Sequence, residues 1–380
     1  MVTIREVETK RDLKKFVDFP VKLYSGNEYY VPALFGDEMN NFLPKKSPYL
    51  EDNIVKLFLA YKDDKLVGRT AGIISLMANE KYNKKTVRIS RIDFIDDYEV
   101  SKALFDALIA FAKEQGMEDL QGPLGFNDLD KEGLLIEGFE ELSTFETYYN
   151  YSYYKAHFEK YGFTKDADWL ESLITIPKQL DERNERLCAA VMKRSGFREV
   201  TGLSKRQIIK RYGTEILDVN DAAFKDLYGT VPLNAKARKG IISQFKLVLD
   251  PDYLSIVLNK EGKVAAFALG LPSIAKAVQK SKGKLFPFGA FRILKSLKNR
   301  ERIDLCLIGV LPEYQNSAIT AVIFNNILLR VIKNGVKYAE TNIQLETNYK
   351  IHQLFEAYDR RQHRRRRSFK LNIAEKKTPK

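Results

Sequence analysis

The chain has 380 residues, is 44 % hydrophobic and carries a formal net charge of +13, a composition that suits two globular domains with cores of their own and argues against disorder. Its two cysteines, Cys188 and Cys306, and three histidines, His157, His352 and His363, are scattered, which excludes a disulfide framework and gives no metal-ligand spacing. The first residues, Met1 to Lys15, are dense with charge, and no later apolar run approaches a bilayer-spanning length, so a cytoplasmic protein with no membrane span is expected.

Period and punctuation give the elements of the first half. Thr3 to Val7 reads as a strand, and Thr9 caps a helix from about Lys10 to Tyr24. A Pro- and Asn-marked stretch, Gly26 to Asn53, holds at most a short helix. Ile54 to Tyr61 and Lys65 to Leu76 form a hairpin about Lys62-Asp63-Asp64, and Thr86 to Ile95 is the next strand. From Asp97 to Gly116, the spacing of Val100, Leu104, Leu108 and Phe111 is one face of a helix that stops at a glycine. A strand at Asp119 to Gly122, a Gly-rich loop, a helix at Tyr153 to Tyr161 and a strand at Trp169 to Ile176 complete the unit.

A charged helix striped with Leu180, Leu187, Val191 and Met192 follows Pro177 and ends at Ser195-Gly196, as a connector would. The second half then reads as helices at Lys205 to Arg211, Asp218 to Tyr228 and Asn234 to Leu249, and a hairpin of Tyr253 to Asn259 with Lys263 to Leu271. After an inserted basic segment, Ser273 to Arg300, come the strand Ile303 to Val310, the helix Tyr314 to Lys333, the strand Val336 to Leu345, the helix Asn348 to Tyr358 and the edge strand Arg367 to Asn372. Hairpin, strand, long helix, strand, short helix, strand occurs twice, which an internal duplication explains most simply. The expected fold is α/β (α+β): tandem domains at 1–177 and 199–380, joined by 178–198, each a mixed, mostly antiparallel central sheet flanked by helices.

Val310, Pro312, Gln315, Ala318 and Thr320 have the spacing of the motif V-x-P-x-x-[QR]-x-x-G-x-[GA]. A strand-to-helix turn of this kind aims backbone N–H groups at one point, where the helix dipole favours an anion. The second half therefore resembles the GNAT (acyl-CoA N-acyltransferase) superfamily, and the resemblance implies a site for acetyl-CoA or another acyl-CoA at Val310, Leu311, Gln315, Asn316, Ser317, Ala318, Ile319 and Thr320. Ala318 and Thr320 stand where the motif has small residues, usually glycines; their Cβ atoms restrict phosphate approach, while Ser317 and Thr320 add hydroxyl donors. Phrases in both halves resemble a bacterial group of double-domain GNAT-like proteins: Gly122-Pro123-Leu124, Gly133 to Phe139 and Tyr161-Gly162-Phe163 in the first, Val231-Pro232-Leu233, Leu249 to Asp252 and Leu285 to Gly289 in the second. The first half lacks the motif. Asp96, Asp97 and Glu99 stand at its equivalent junction, where they satisfy the helix dipole themselves and repel a pyrophosphate.

Acyl transfer to an amine needs a donor for the carbonyl oxygen, a base for the amine and a proton for the thiolate. The resemblance implies an unpaired amide at the end of the fourth strand, Val310 or Leu311. The fifth strand offers a polar row: Glu340 as first choice of base, Glu346 as second, and Asn342, Tyr338 and Asn348 toward substrate. The family's tyrosine acid falls, counted from Asn348, on Phe355, and in the first half on Phe158; His352, one turn before Phe355, is the substitute. Tyr148, Tyr149, Tyr151, Tyr153 and Tyr154 line a substrate groove or a packed interface.

Three readings follow. One is an acyl-CoA-dependent N-acyltransferase acting on a small amine or amino-acid-like acceptor. A second is a Fem-like aminoacyl transferase, whose basic segments Lys276 to Arg302 and Arg360 to Lys370 hold charged tRNA. A third is a non-catalytic binding protein on the same fold. The arginine-rich run alone fits RNA, anionic lipid, a nucleotide cofactor or a solvated edge strand.

Overall fold

The computed structural model describes residues 1–374 apart from Asn316. The chain divides into two compact units: the first comprises Met1–Leu170, Ala275–Arg292 and the chain from His363, and the second comprises Glu171–Ile274 and Ile293–Gln362. Segment 275–292 and the last strand thus fall in the first unit, although the sequence places both within 199–380.

In chain order the first stretch contains β1 (Val2–Glu6), α1 (Lys10–Leu23), α2 (Phe35–Phe42), β2 (Asn53–Lys62), β3 (Lys65–Ser75) and α3 (Leu76–Tyr82). It continues with β4 (Thr86–Phe94), α4 (Tyr98–Glu114), β5 (Asp119–Gly122), β6 (Leu134–Glu137), α5 (Tyr153–Tyr161) and β7 (Thr164–Thr175). Then come α6 (Glu182–Ser195), β8 (Arg198–Glu199), α7 (Lys205–Phe224), α8 (Ala235–Val248), β9 (Leu254–Leu258), β10 (Val264–Pro272), α9 (Ala275–Lys280) and α10 (Gly289–Ser296). The chain closes with β11 (Arg302–Val310), α11 (Ile319–Lys333), β12 (Tyr338–Thr341), β13 (Gln344–Leu345), α12 (Tyr349–Glu356) and β14 (Arg360–Asn372).

The first unit's strands run in the order β1-β2-β3-β4-β5-β14, with β6 also on β14, and only β4 and β5 pair in parallel. The stripe Val100, Leu104, Leu108 and Phe111 on α4 is buried against this sheet, with Phe105, Phe158 and Phe369 in the same core. The second unit has the order β12-β11-β10-β9-β8 with the end of β7 beside β12, again with one parallel pair, β11 and β12. On one face α11 and α6 bury Val322, Ile323, Phe324, Val331 and Cys188. On the other, Ile208 and Tyr212 of α7 meet Phe267 and Leu269.

Several elements differ from the sequence expectation. The two helices read at 205–211 and 218–228 are one, α7, started by a Ser204/Gln207 capping box. Gly213 in its interior is tolerated at a cost of about 1 kcal/mol because packing on the sheet supports the helix. The strand read at 336–345 breaks after Thr341, and β12 and β13 are its pieces. The basic insert, for which no elements were read, holds α9 and α10.

Candidate functional site

Each unit contains a fork where its two parallel strands part. In the second unit β11 and β12 pair from Arg302↔Tyr338 to Leu305↔Thr341. Asn342 marks the point of parting: its amide donates to the Leu305 carbonyl at 3.0 Å and its Nδ2 to the Cys306 carbonyl at 3.4 Å. β11 then continues to Val310 against β10, with Ala266 opposite Val310 and Phe267 opposite Gly309. A Cβ on Gly309 would lie 2.5 Å from the Phe267 ring, so only glycine lets that ring cross the strand.

The Leu311 amide donates to the Ala265 carbonyl at 3.0 Å. It is therefore not the unpaired amide sought at this strand end. In an antiparallel ladder, bonded and non-bonded pairs alternate, so the Val310 amide next to it points away from β10, toward the side from which β12 has parted. The fork thus presents Val310, not Leu311.

The turn that follows is more closed than the motif implied. The Tyr314 amide bonds the Leu311 carbonyl, the Gln315 amide the Pro312 carbonyl and the Ser317 amide the Tyr314 carbonyl. Gln315 spends its Nε2 on the Val310 carbonyl at 3.3 Å, and the Ser317 hydroxyl donates to the Tyr314 carbonyl at 2.6 Å. Neither side chain is held out for a phosphate. Short loops satisfy their own polar groups wherever they can, and here Ser317 also accepts from the Ile319 amide at 3.4 Å. The Ile319 side chain is fully buried. The anion-binding potential lies one step further on. Helix α11 has no side-chain cap at Ala318, and its own ladder begins at Val322, whose amide bonds the Ala318 carbonyl, so the Thr320 and Ala321 amides of the first turn precede it. Asn316 lies outside the described residues.

Of the other expected residues, Glu340 is 1 % exposed and accepts from Arg302 at 2.6 Å. This ion pair joins β12 to β11. Asn342 is engaged at the fork, as above, and its Oδ1 accepts from the Ile343 amide. His352 lies beside the fork strand's continuation, with Nε2 donating to the Leu345 carbonyl at 2.9 Å. Phe355 is fully buried against Phe324, and Phe158 is likewise core. Asn348 precedes α12 without a side-chain capping bond, and Tyr338 and Glu346 are half-buried.

The first unit's fork is built alike and filled differently. β4 and β5 pair from Thr86↔Asp119 to Arg88↔Gln121, and the Leu124 amide then bonds the Ile89 carbonyl. Beyond it Arg91 has φ +46°, left-handed backbone that costs a non-glycine residue about 1–3 kcal/mol. Its buried guanidinium bonds Glu38 at 3.0 Å and Asp130 at 2.6 Å, and Arg69 bonds Asp93 at 2.8 Å beside it. These groups, with Tyr30 and Lys131, line a cavity of about 60 Å³. Burial raises the Glu38 carboxyl, but Arg91 outweighs it and leaves the group below its ordinary range. Burial lowers Lys131 to about 8. It pushes Glu132, beside Asp128, well up, and one carboxyl oxygen of Glu132 has no hydrogen-bond partner. Sequence reading missed this cluster; the signal was available as arginines at inward positions of apolar strands, Arg69 within β3 and Arg91 within β4.

At the first unit's helix start, Asp97 accepts from the Glu99 amide, and Lys62 binds Asp97 at 2.6 Å and Glu99 at 3.1 Å. In the tyrosine segment Tyr149 and Tyr154 are buried and Tyr148, Tyr151 and Tyr153 half-buried; Tyr154 donates to, or accepts from, Tyr24 and accepts from the Phe94 amide. The arginine run also turns inward. Arg364 and Arg366 are fully buried, donating to the Leu142 and Tyr148 carbonyls, and Arg365 and Arg367 bind Asp168. Within the expected polyanion-binding segment Arg360 to Lys370, Arg364 to Arg367 are thus engaged inside the fold, while Arg361 and Lys370 are exposed.

No protein-family model matches the chain. Two solved structures share its architecture over nearly its whole length. One is a tandem GNAT protein from the clavulanic acid biosynthesis pathway (TM-score 0.57, 9 % identity, 99 % of this chain and 100 % of that one). The other contains a GCN5-related glucosamine N-acetyltransferase region, in a fungal multi-domain GH3 β-N-acetylglucosaminidase (TM-score 0.56, 13 % identity, 98 % of this chain and 38 % of that one). The chain has a tandem GNAT-like fold. In sequence, this tandem GNAT-like chain is 29 % identical to the protein YghO of Escherichia coli K12 over 386 residues, covering 97 % of it and 95 % of YghO. It is 25 % identical to the Bacterial ceramide synthase of Caulobacter vibrioides over 323 residues, covering 83 % and 82 %. Among the described residues no helix is long and apolar enough to cross a membrane, and no group of His, Cys, Asp and Glu could hold a metal ion.

Proposed function

We propose that this protein is an N-acyltransferase that moves an acyl group from a coenzyme A thioester to an amine, with the thioester held at the fork of the second unit. The observation that carries this reading is the pairing pattern at Val310: its amide points into the gap between parted strands, directly ahead of a helix whose N-cap residue, Ala318, makes no side-chain bond to the first turn. That is the arrangement an oxyanion and a phosphate require in succession. The first-turn amides of Thr320 and Ala321 fit one end of a diphosphate; Gln315 and Ser317 brace the turn.

The acyl-CoA thioester, when bound, would supply an activated carbonyl, with coenzyme A leaving as the thiolate. The chain's own residues do the remainder. The Val310 amide stabilises the negative charge that builds on the carbonyl oxygen as the amine attacks. Glu346, half-buried just past β13, is the base that takes the amine's proton, and His352, oriented by the Leu345 carbonyl, returns one to the thiolate.

The acceptor is an amine small enough to reach that fork. The likeness to a protein named as a ceramide synthase supports a second reading of the acceptor, a long-chain amino alcohol, since a ceramide is the amide of one. The experiment is thioester-dependent amide formation, followed by thiol release, with amino acids and a long-chain amino alcohol as parallel acceptors and acetyl- and palmitoyl-CoA as donors. Turnover with any pair that falls with Glu346→Gln sustains the reading; no thiol release with any pair sinks it.

A further inference from the structure

The insert between β10 and β11 does something neither fork explains. Its base is fastened to the first unit. Gln279 donates to the Glu28 and Tyr30 carbonyls at 2.9 Å, the Phe35 amide bonds the Gly283 carbonyl at 2.8 Å, and Ala275, Ala277 and Val278 are buried. Gly283 has φ +72°, and a Cβ there would lie 2.1 Å from the Ala33 carbonyl oxygen, so the approach is made for glycine. Past this anchor the chain turns outward into α10. Arg292 braces it from behind by donating to the Lys280 carbonyl.

What the anchor holds out is aromatic. Phe286 is 88 % exposed, Phe288 63 % and Phe291 70 %, with Leu285 and, one helical turn on, Leu294 also exposed. Ile293, on the opposite side of α10, is buried. Scattered exposed hydrophobic residues are ordinary, but three phenylalanines within six positions on a braced projection form a patch. Around it the charge has one sign. Lys276, Lys280, Lys282, Lys284, Lys295 and Lys298 are exposed, and Glu301 is the sole acid between Lys276 and Arg302.

We propose that residues 284–296 dock this protein on an anionic phospholipid bilayer, the phenylalanines entering the headgroup and acyl boundary while the surrounding lysines bind lipid phosphates. An apolar, aromatic ridge rimmed by lysines matches an interface whose interior is hydrocarbon and whose surface is negative. A nucleic acid would match the lysines and leave the phenylalanines in water. The contact is peripheral.

Vesicle co-sedimentation of the full chain tests this, using vesicles of phosphatidylcholine with and without phosphatidylglycerol. The wild type is expected to sediment with the anionic vesicles, to bind pure phosphatidylcholine about tenfold or more weakly, and to be released by salt. Phe286→Ser/Phe288→Ser/Phe291→Ser is expected to lose binding by a similar factor at unchanged Tm, because the removed rings touch little of the fold. Phe291→Trp adds a second readout: its emission shifts to the blue on adding anionic vesicles. Failure of the wild type to sediment overturns the proposal. So does a triple serine variant that binds as well as the wild type and is displaced by RNA, or a ridge that proves to mediate a concentration-dependent dimer which the triple variant abolishes. None of these outcomes depends on acyl transfer.

Discussion

The two forks differ in what fills them. In both units a parallel pair runs for a few residues, parts, and leads from its first strand into the unit's long helix. In the first unit, Arg91 past the point of parting is tied to Glu38 and Asp130, and Asp97 with Lys62 closes the helix end. In the second, the gap receives the Val310 amide, and Ala318 leaves the helix without a side-chain cap. A duplicated fold can keep one copy's functional geometry open and spend the other copy's on ion pairs. The backbone therefore sets the fork, and a few side chains decide whether it is filled.

The largest expected effect breaks the filled fork. Arg91→Met removes the partner of two buried carboxylates and should destabilise the protein by about 3–5 kcal/mol, read as a drop in the urea midpoint. Glu38→Gln/Asp130→Asn in the same background should recover part of that loss, since it removes the stranded charges.

Next, Val310→Pro deletes the amide that points into the open fork while leaving the ladder bonds of Gly309 and Leu311 in place. It should lower kcat about 10²–10³-fold, the usual loss of one oxyanion donor, with little change in Tm. The corresponding change at Leu311 should instead unfold the strand end, because that amide is bonded to Ala265.

Lys131 gives the filled fork a pH signature. Its amine is lowered by burial to about 8 from the ordinary 10.5. Below pH 8 both folded and unfolded chains bind the proton, and the penalty of burying charge is present in full. Between pH 8 and 10.5 only the unfolded chain keeps it, so stability rises with pH there, by at most about 1.4 kcal/mol per unit. Lys131→Met should flatten that rise in chemical denaturation.

The smallest effects come from exchanging the helix caps. Asp97→Ala should cost about 1 kcal/mol, and Ala318→Asp should add a similar amount by capping α11. The second change also places a negative charge where a phosphate would sit.

Much of the fold was legible because it rests on period and punctuation. The α4 stripe, the hairpins and the duplicated element order can all be read from apolar spacing and from turns such as Lys62-Asp63-Asp64. The site was legible only in part. The motif falls on the turn between β11 and α11, but spacing cannot say whether Gln315 and Ser317 face outward or brace their own loop, and they brace it. The polar row on β12 was legible, but not the ion pair of Glu340 with Arg302, which lies 38 residues away along the chain and is brought near only by strand register. The arginine run read as a charged edge because its acceptors, the Leu142 and Tyr148 carbonyls, are supplied by a distant loop.

The central claim is that the open fork of the second unit receives a diphosphate-bearing thioester donor. Calorimetric titration of coenzyme A into the full chain and into Ala318→Asp tests it most directly. Saturable one-site binding to the wild type, abolished by Ala318→Asp in a protein at least as stable, is the predicted result. No binding to the wild type, or binding that Ala318→Asp leaves unchanged, would contradict it.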